Sequence, residues 1–77
     1  VKQPPVIKIN WRDANTENGW QGKESASKLA LMLCDSVGFL LEETDEFFKI
    51  AQSINDGEYG DVTVIPKNQI IKRRFLK

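Results

Sequence analysis

Apolar and polar positions alternate along this chain in short stretches, and Gly, Asn, Asp and Pro mark the turns between them. Val6 to Trp11 reads as a strand, with Ile7, Ile9 and Trp11 on one face and Lys8 and Asn10 on the other. Pro4-Pro5 ahead of it makes residues 1–5 an extended leader, because proline holds the residue before it out of the helical region. Residues 12–22 form a long polar loop rich in Asn, Gly and Thr. Lys23 to Leu33 carries two signals at once. Its residues favour helix, with Ser25 or Ser27 as N-cap, yet Leu29, Leu31 and Leu33 alternate as in a strand. The spacing predicts a turn or short helix over Glu24 to Lys28 and a strand from about Leu31.

The last 44 residues carry the clearest pattern. Ser36 to Leu41 is apolar on both faces, as in a central strand, and Gly38 inside it suits a sharp bend or a close backbone approach. Glu42 to Glu46 reads as a charged hairpin turn. Phe48, Ile50 and Ile54 then share one face of a strand, with Lys49, Ala51 and Ser53 on the other. Asn55-Asp56-Gly57 and Tyr59-Gly60 supply a second, longer turn. Asp61 to Ile65 is a β-branched strand that Pro66 ends, and Gln69 to Leu76 is the closing strand. Residues 1–77 thus read as one small all-β domain with at most one short helix.

Composition narrows the chemistry more than it identifies it. The chain has no histidine, which removes the commonest general base and metal ligand. Its single cysteine, Cys34, excludes an intrachain disulfide and a Cys/His zinc site; it reads as a small buried apolar residue leading into a strand. The serines have no histidine to activate them. The acidic run Glu42, Glu43, Asp45 and Glu46 lacks the spacing of a calcium loop and reads as a solvated hairpin tip. The glycines form no phosphate-binding loop, since Gly57 and Gly60 lie in a hairpin and not before a helix. The expectation is a protein that is not an enzyme, with no catalytic residues, metal or cofactor.

No apolar run approaches the roughly 20 residues that span a bilayer, and VKQPPVIK has no signal-peptide core. This predicts a protein with no membrane partner. The 11 basic and 11 acidic residues cancel, but Lys67, Lys72, Arg73, Arg74 and Lys77 crowd the C-terminus. Trp20 stands in the polar loop without periodic support. It reads as a cap over one end of the fold, or as an exposed stacking surface.

Two segments carry a family resemblance. Gly38 to Ile50, G-F-L-L-E-E-T-D-E-F-F-K-I, resembles the first signature of the Sm-like family, with Gly38, Asp45, Phe48 and Ile50 in matching roles. Val64 to Ile71 resembles the second signature. The resemblance implies a small SH3-like or Sm-like five-stranded, strongly bent β-barrel, and rings built by edge-strand pairing. In this chain Lys49 stands where the family has its base-binding asparagine, and Pro66 and Lys67 stand where it has an arginine–glycine pair. Only Asp45 remains of the residues that would pocket an RNA base.

A second pattern is carried by Trp11, Asp13, Trp20, Cys34, Val37, Gly38, Asp45, Gln52, Ile65, Pro66, Ile70 and Arg74. It resembles a family of small bacteriophage and prophage proteins, which implies a phage or mobile-element origin and the cytoplasm of a host cell.

Two functions follow as expectations. One is an assembly or interaction module that forms homo-oligomers through edge strands, with Val62, Val64, Ile70, Phe75 and Leu76 as contacts, or that binds a host or phage protein. The other is RNA or DNA binding, with Lys49, Lys67, Lys72, Arg73 and Arg74 on phosphates and Trp20 or Tyr59 stacking on bases.

Overall fold

The computed structural model describes residues 3–14 and 19–76. Five strands, β1 (Val6–Asp13), β2 (Met32–Glu43), β3 (Phe47–Asn55), β4 (Glu58–Pro66) and β5 (Ile70–Leu76), form one antiparallel sheet in the order β4-β3-β2-β1-β5. A short helix, α1 (Lys23–Ser27), precedes β2, and a 3-10 turn (Lys67–Gln69) joins β4 to β5.

The 12-residue strand β2 changes partners along its length. Residues Met32 to Phe39 pair with β1, and the ladder to β3 begins at Phe39 and runs to Glu43. Within β2, Phe39 is in register with both neighbours, and the Leu40 amide still donates to the Pro5 carbonyl at 2.8 Å on the β1 side. At this hand-off the Ala51 carbonyl closes on Gly38 so tightly that an added Cβ would lie 2.7 Å from its oxygen. Side-chain absence at Gly38 is therefore a steric requirement. A register shift between Leu40 and Glu42 follows at once, where one extra residue in β2 bulges out of the ladder.

Side chains of one face gather into the core. Ile7, Ile9, Phe48, Ile50 and Ile65 are almost wholly buried and pack together, with Trp11, Leu40 and Ile70 against them. Each such aliphatic or aromatic group is worth on the order of 1.5–3 kcal/mol when removed from water. Trp11 keeps its indole N–H satisfied by donating to Ser36 Oγ at 3.0 Å. A smaller apolar row crosses the opposite face, where Leu76, Val6, Phe39, Ala51 and Val62 are successive cross-strand neighbours.

Turn chemistry sets both later hairpins. Asp56 and Gly57 have φ of 48° and 79°, the pair of left-handed residues that a two-residue hairpin of matching twist needs. The turn is thus shorter than the sequence suggests, and Glu58, Tyr59 and Gly60 belong to β4. Thr44 closes the other turn by accepting at Oγ1 from the amides of Glu46 and Phe47, both at 3.1 Å. Glu42 and Glu43 are accordingly strand residues. β1 likewise runs to Asp13, into the expected polar loop, of which residues 15–18 lie outside the described residues.

The strongly bent barrel is not formed. β4 and β5 are the two edges of an open sheet, and no pairing joins them. β4 is poorly built to take a further ladder. Asp61 is left-handed with φ 53°, which interrupts the extended backbone, and Pro66 has no N–H to donate. The molecule is also long, measuring 55 × 23 × 22 Å with a radius of gyration of 15.8 Å. A compact chain of this length would have about 11–12 Å. Its β1–β2 ribbon outruns β5: Arg12 and Asp13 pair with Leu33 and Met32 beyond the last β5 partner, Ile70. Every described residue from Gly19 to Leu33 is exposed.

Gly38→Ala is expected to destabilise the protein by roughly 1–3 kcal/mol through overpacking against the β3 backbone. Thermal denaturation checks this. An unchanged midpoint would contradict the close approach.

Candidate functional site

The residues that the sequence groups into one basic patch are divided by strand alternation. Arg73 pairs with Ile9 and so shares the core face, whereas Lys72 and Arg74 pair with Asn10 and Lys8 on the other face. Arg73 and Lys67 both place their cationic groups 4.9 Å from the centroid of the buried Phe48 ring. Lys67 Nζ donates to Glu43 Oε2 at 2.7 Å, and Arg73 Nη1 lies 3.9 Å from the same oxygen. Lys49 donates to Glu42 at 2.9 Å. Three of the five nominated cations are therefore already held by carboxylates of β2.

That cluster ties β2, β3, the 3-10 turn and β5 together. The hydrogen bond from Lys67 holds the Glu43 carboxyl below its ordinary range, with the positive charges of Lys67 and Arg73 adding to it. The Glu43 side chain remains about two-fifths exposed, so solvent screens the effect. Lys72 and Arg74 are exposed and have no ion-pair partner among the described residues.

The nominated stacking residues do not complete a nucleic-acid surface. Trp20 is fully exposed and caps nothing. Tyr59 is the second residue of β4, at the opposite sheet edge from the basic strand β5. Lys77 lies outside the described residues.

The self-association candidates fare differently. Val62 and Val64 on β4 and Phe75 on β5 are about half exposed along the two free edges. Ile70 instead packs against the core, and Leu76 is half-buried at the end of the outer apolar row. The edges carry opposite charge. β4 holds Glu58 and Asp61 and no cation, whereas β5 holds Lys72, Arg73 and Arg74 and no carboxylate. Sequence reading missed this opposition because it placed Glu58 in a turn.

Cys34 is half-buried on β2 opposite Trp11. Among the described residues no group of three or more His, Cys, Asp or Glu could hold a metal, and no helix is long and apolar enough to cross a membrane.

Glu43→Gln provides a test of the cluster. Its depressed folded pKa means that Glu43 stabilises the protein above the ordinary glutamate range and loses that contribution as pH falls through the folded value. The substituted protein is expected to lose less stability on acidification, measured by denaturant unfolding from pH 7 to pH 3. Parallel pH profiles would contradict the role of the Lys67–Glu43 bond.

No family model, curated protein or solved structure matches this chain. The resemblances to the Sm-like family and to small phage proteins are therefore not sustained. The open sheet removes the barrel on which the first rested. The phage or mobile-element origin and the host-cell compartment drawn from the second lose their basis with it.

Proposed function

We propose that this protein is a non-enzymatic interaction module that associates with its own copies through its open sheet edges. One observation carries the reading: the two free edges of the same sheet are oppositely charged, acidic on β4 and basic on β5. Asp61 and Pro66 interrupt a backbone ladder along β4, so the contact rests on the opposed charges of the two edges and on the side chains beside them. Like edges repel here, β4 against β4 and β5 against β5, whereas β4 against β5 attracts. Such a contact uses two different patches and is heterologous, so it leaves a free edge at each end for further copies. Val62, Val64 and Phe75 supply exposed apolar surface for the same contact.

Charge reversal tests the reading by sedimentation over a concentration series at low salt. Asparagine is chosen for position 61 because it tolerates the left-handed backbone there. The unmodified protein is expected to grow beyond a dimer as concentration rises. Neither the Glu58→Lys/Asp61→Asn variant nor the Lys72→Glu/Arg74→Glu variant is expected to grow past a dimer alone, and an equimolar mixture regains growth. Growth of the unmodified protein is expected to fall as salt is raised past about 0.1 M, where screening reaches contact distances of about 10 Å. An unmodified protein that never exceeds a dimer, or variants that grow unaided, would overturn it.

A further inference from the structure

The partner switch in β2 leaves a third edge open, and this one is unguarded. The ladder from β3 stops at Phe39, so among the described residues Met32 to Gly38 meets β1 on one side and no strand on the other. The facing end of β3 is turned elsewhere, with Ser53, Ile54 and Asn55 paired only to β4. Edges that must stay single usually carry charges, proline or a kinked residue. β4 has Asp61 in a left-handed conformation and Pro66, and β5 has three consecutive cations. From Met32 to Val37 the only charge is Asp35, and it accepts a hydrogen bond from Asn10 on the paired side. Leu33 is 72% exposed, and Leu31, Met32 and Val37 are about half exposed.

We infer that the open edge of β2, from Met32 to Val37, pairs antiparallel with the same segment of a second copy about a two-fold axis. The edge demands a strand, since only extended backbone satisfies a row of ladder donors and acceptors. The matching strand must be nearly uncharged and apolar on both faces, and this segment meets its own requirement. β4 and β5 do not, because each brings unpaired like charges against any copy of itself. The elongated shape sets the ribbon clear of its own body, where a copy can reach it.

Register follows from symmetry. A two-fold perpendicular to the sheet pairs only residues that share a face, so it passes through a residue position. Centring on Asp35 would oppose two carboxylates. Centring on Cys34 keeps the longest overlap without that conflict, placing Met32 against Ser36, Leu33 against Asp35, and Leu31 against Val37. The two Cys34 Cα atoms would then lie roughly 4.5–5.5 Å apart, within reach of a disulfide. This contact is isologous and closes at two copies, unlike the head-to-tail contact proposed above. It deepens the interaction-module reading by naming a separate edge and its partner.

The test uses the full chain with Glu58→Lys/Asp61→Asn, which blocks growth through β4. Sedimentation is expected to give a discrete dimer, and mild oxidation with diamide a Cys34–Cys34 cross-linked dimer. Adding Leu33→Glu, at an exposed position that leaves the core intact and that sets a second carboxylate against Asp35 of the other copy, is expected to give a monomer and to slow cross-linking at least ten-fold. Reactivity of Cys34 toward a small monothiol reagent should stay within two-fold, and circular dichroism should confirm the fold. A monomer before Leu33→Glu is added, or cross-linking indifferent to it, would overturn the inference. Head-to-tail growth in the unmodified protein would then still stand, whereas a dimer that persists with no such growth would overturn the β4–β5 reading alone.

Discussion

A change of hydrogen-bonding partner at a single position organises this molecule. β2 is too long to be paired throughout by one neighbour on each side, and it passes from β1 to β3 at Phe39. The crossing is feasible because Gly38 lets the β3 backbone come within contact of its Cα. From this follow the bulge between Leu40 and Glu42, the ribbon that outruns β5, and the unpaired stretch of β2. The core sits beside the hand-off, where Ile7 and Ile9 of β1 meet Phe48 and Ile50 of β3.

Electrostatics then distinguish the edges. Glu43 lies next to the hand-off and draws Lys67 and Arg73 over Phe48, so part of the basic C-terminus serves packing. Cations over an aromatic face contribute roughly 0.5–1 kcal/mol each at exposed sites, and their aliphatic stems also shield the ring from water. What remains outside, Lys72 and Arg74, faces away from the core along one edge. The opposite edge is acidic. An open sheet with unlike edges has a direction built into it, which suits assembly more than recognition of a polyanion.

Strand content was legible in the sequence because it depends on local alternation. Ile7 and Ile9, Phe48 and Ile50, and the turn residues Asp56 and Gly57 all stand in the roles their pattern implies. The single short helix at Lys23–Ser27 also lies where its residues favour one. Closure was not legible, because it depends on whether two distant strands meet, and Asp61 and Pro66 act on that question only once β4 is an edge. The basic patch was misread for a related reason. Lys72, Arg73 and Arg74 are adjacent in sequence, but alternation sends them to opposite faces. Trp20 carried no periodic signal either way, and it stands fully exposed.

Residue-resolved amide exchange along β2, followed as protein concentration rises, bears most directly on the partner switch. In dilute solution, amides from Phe39 to Glu43 that point to β3 should be protected, while those of Met32 to Gly38 pointing away from β1 should exchange freely. Raising the concentration should protect the second set and leave the first unchanged. Equal protection of both sets at every concentration would show that β2 is paired along its whole length and contradict the open edge.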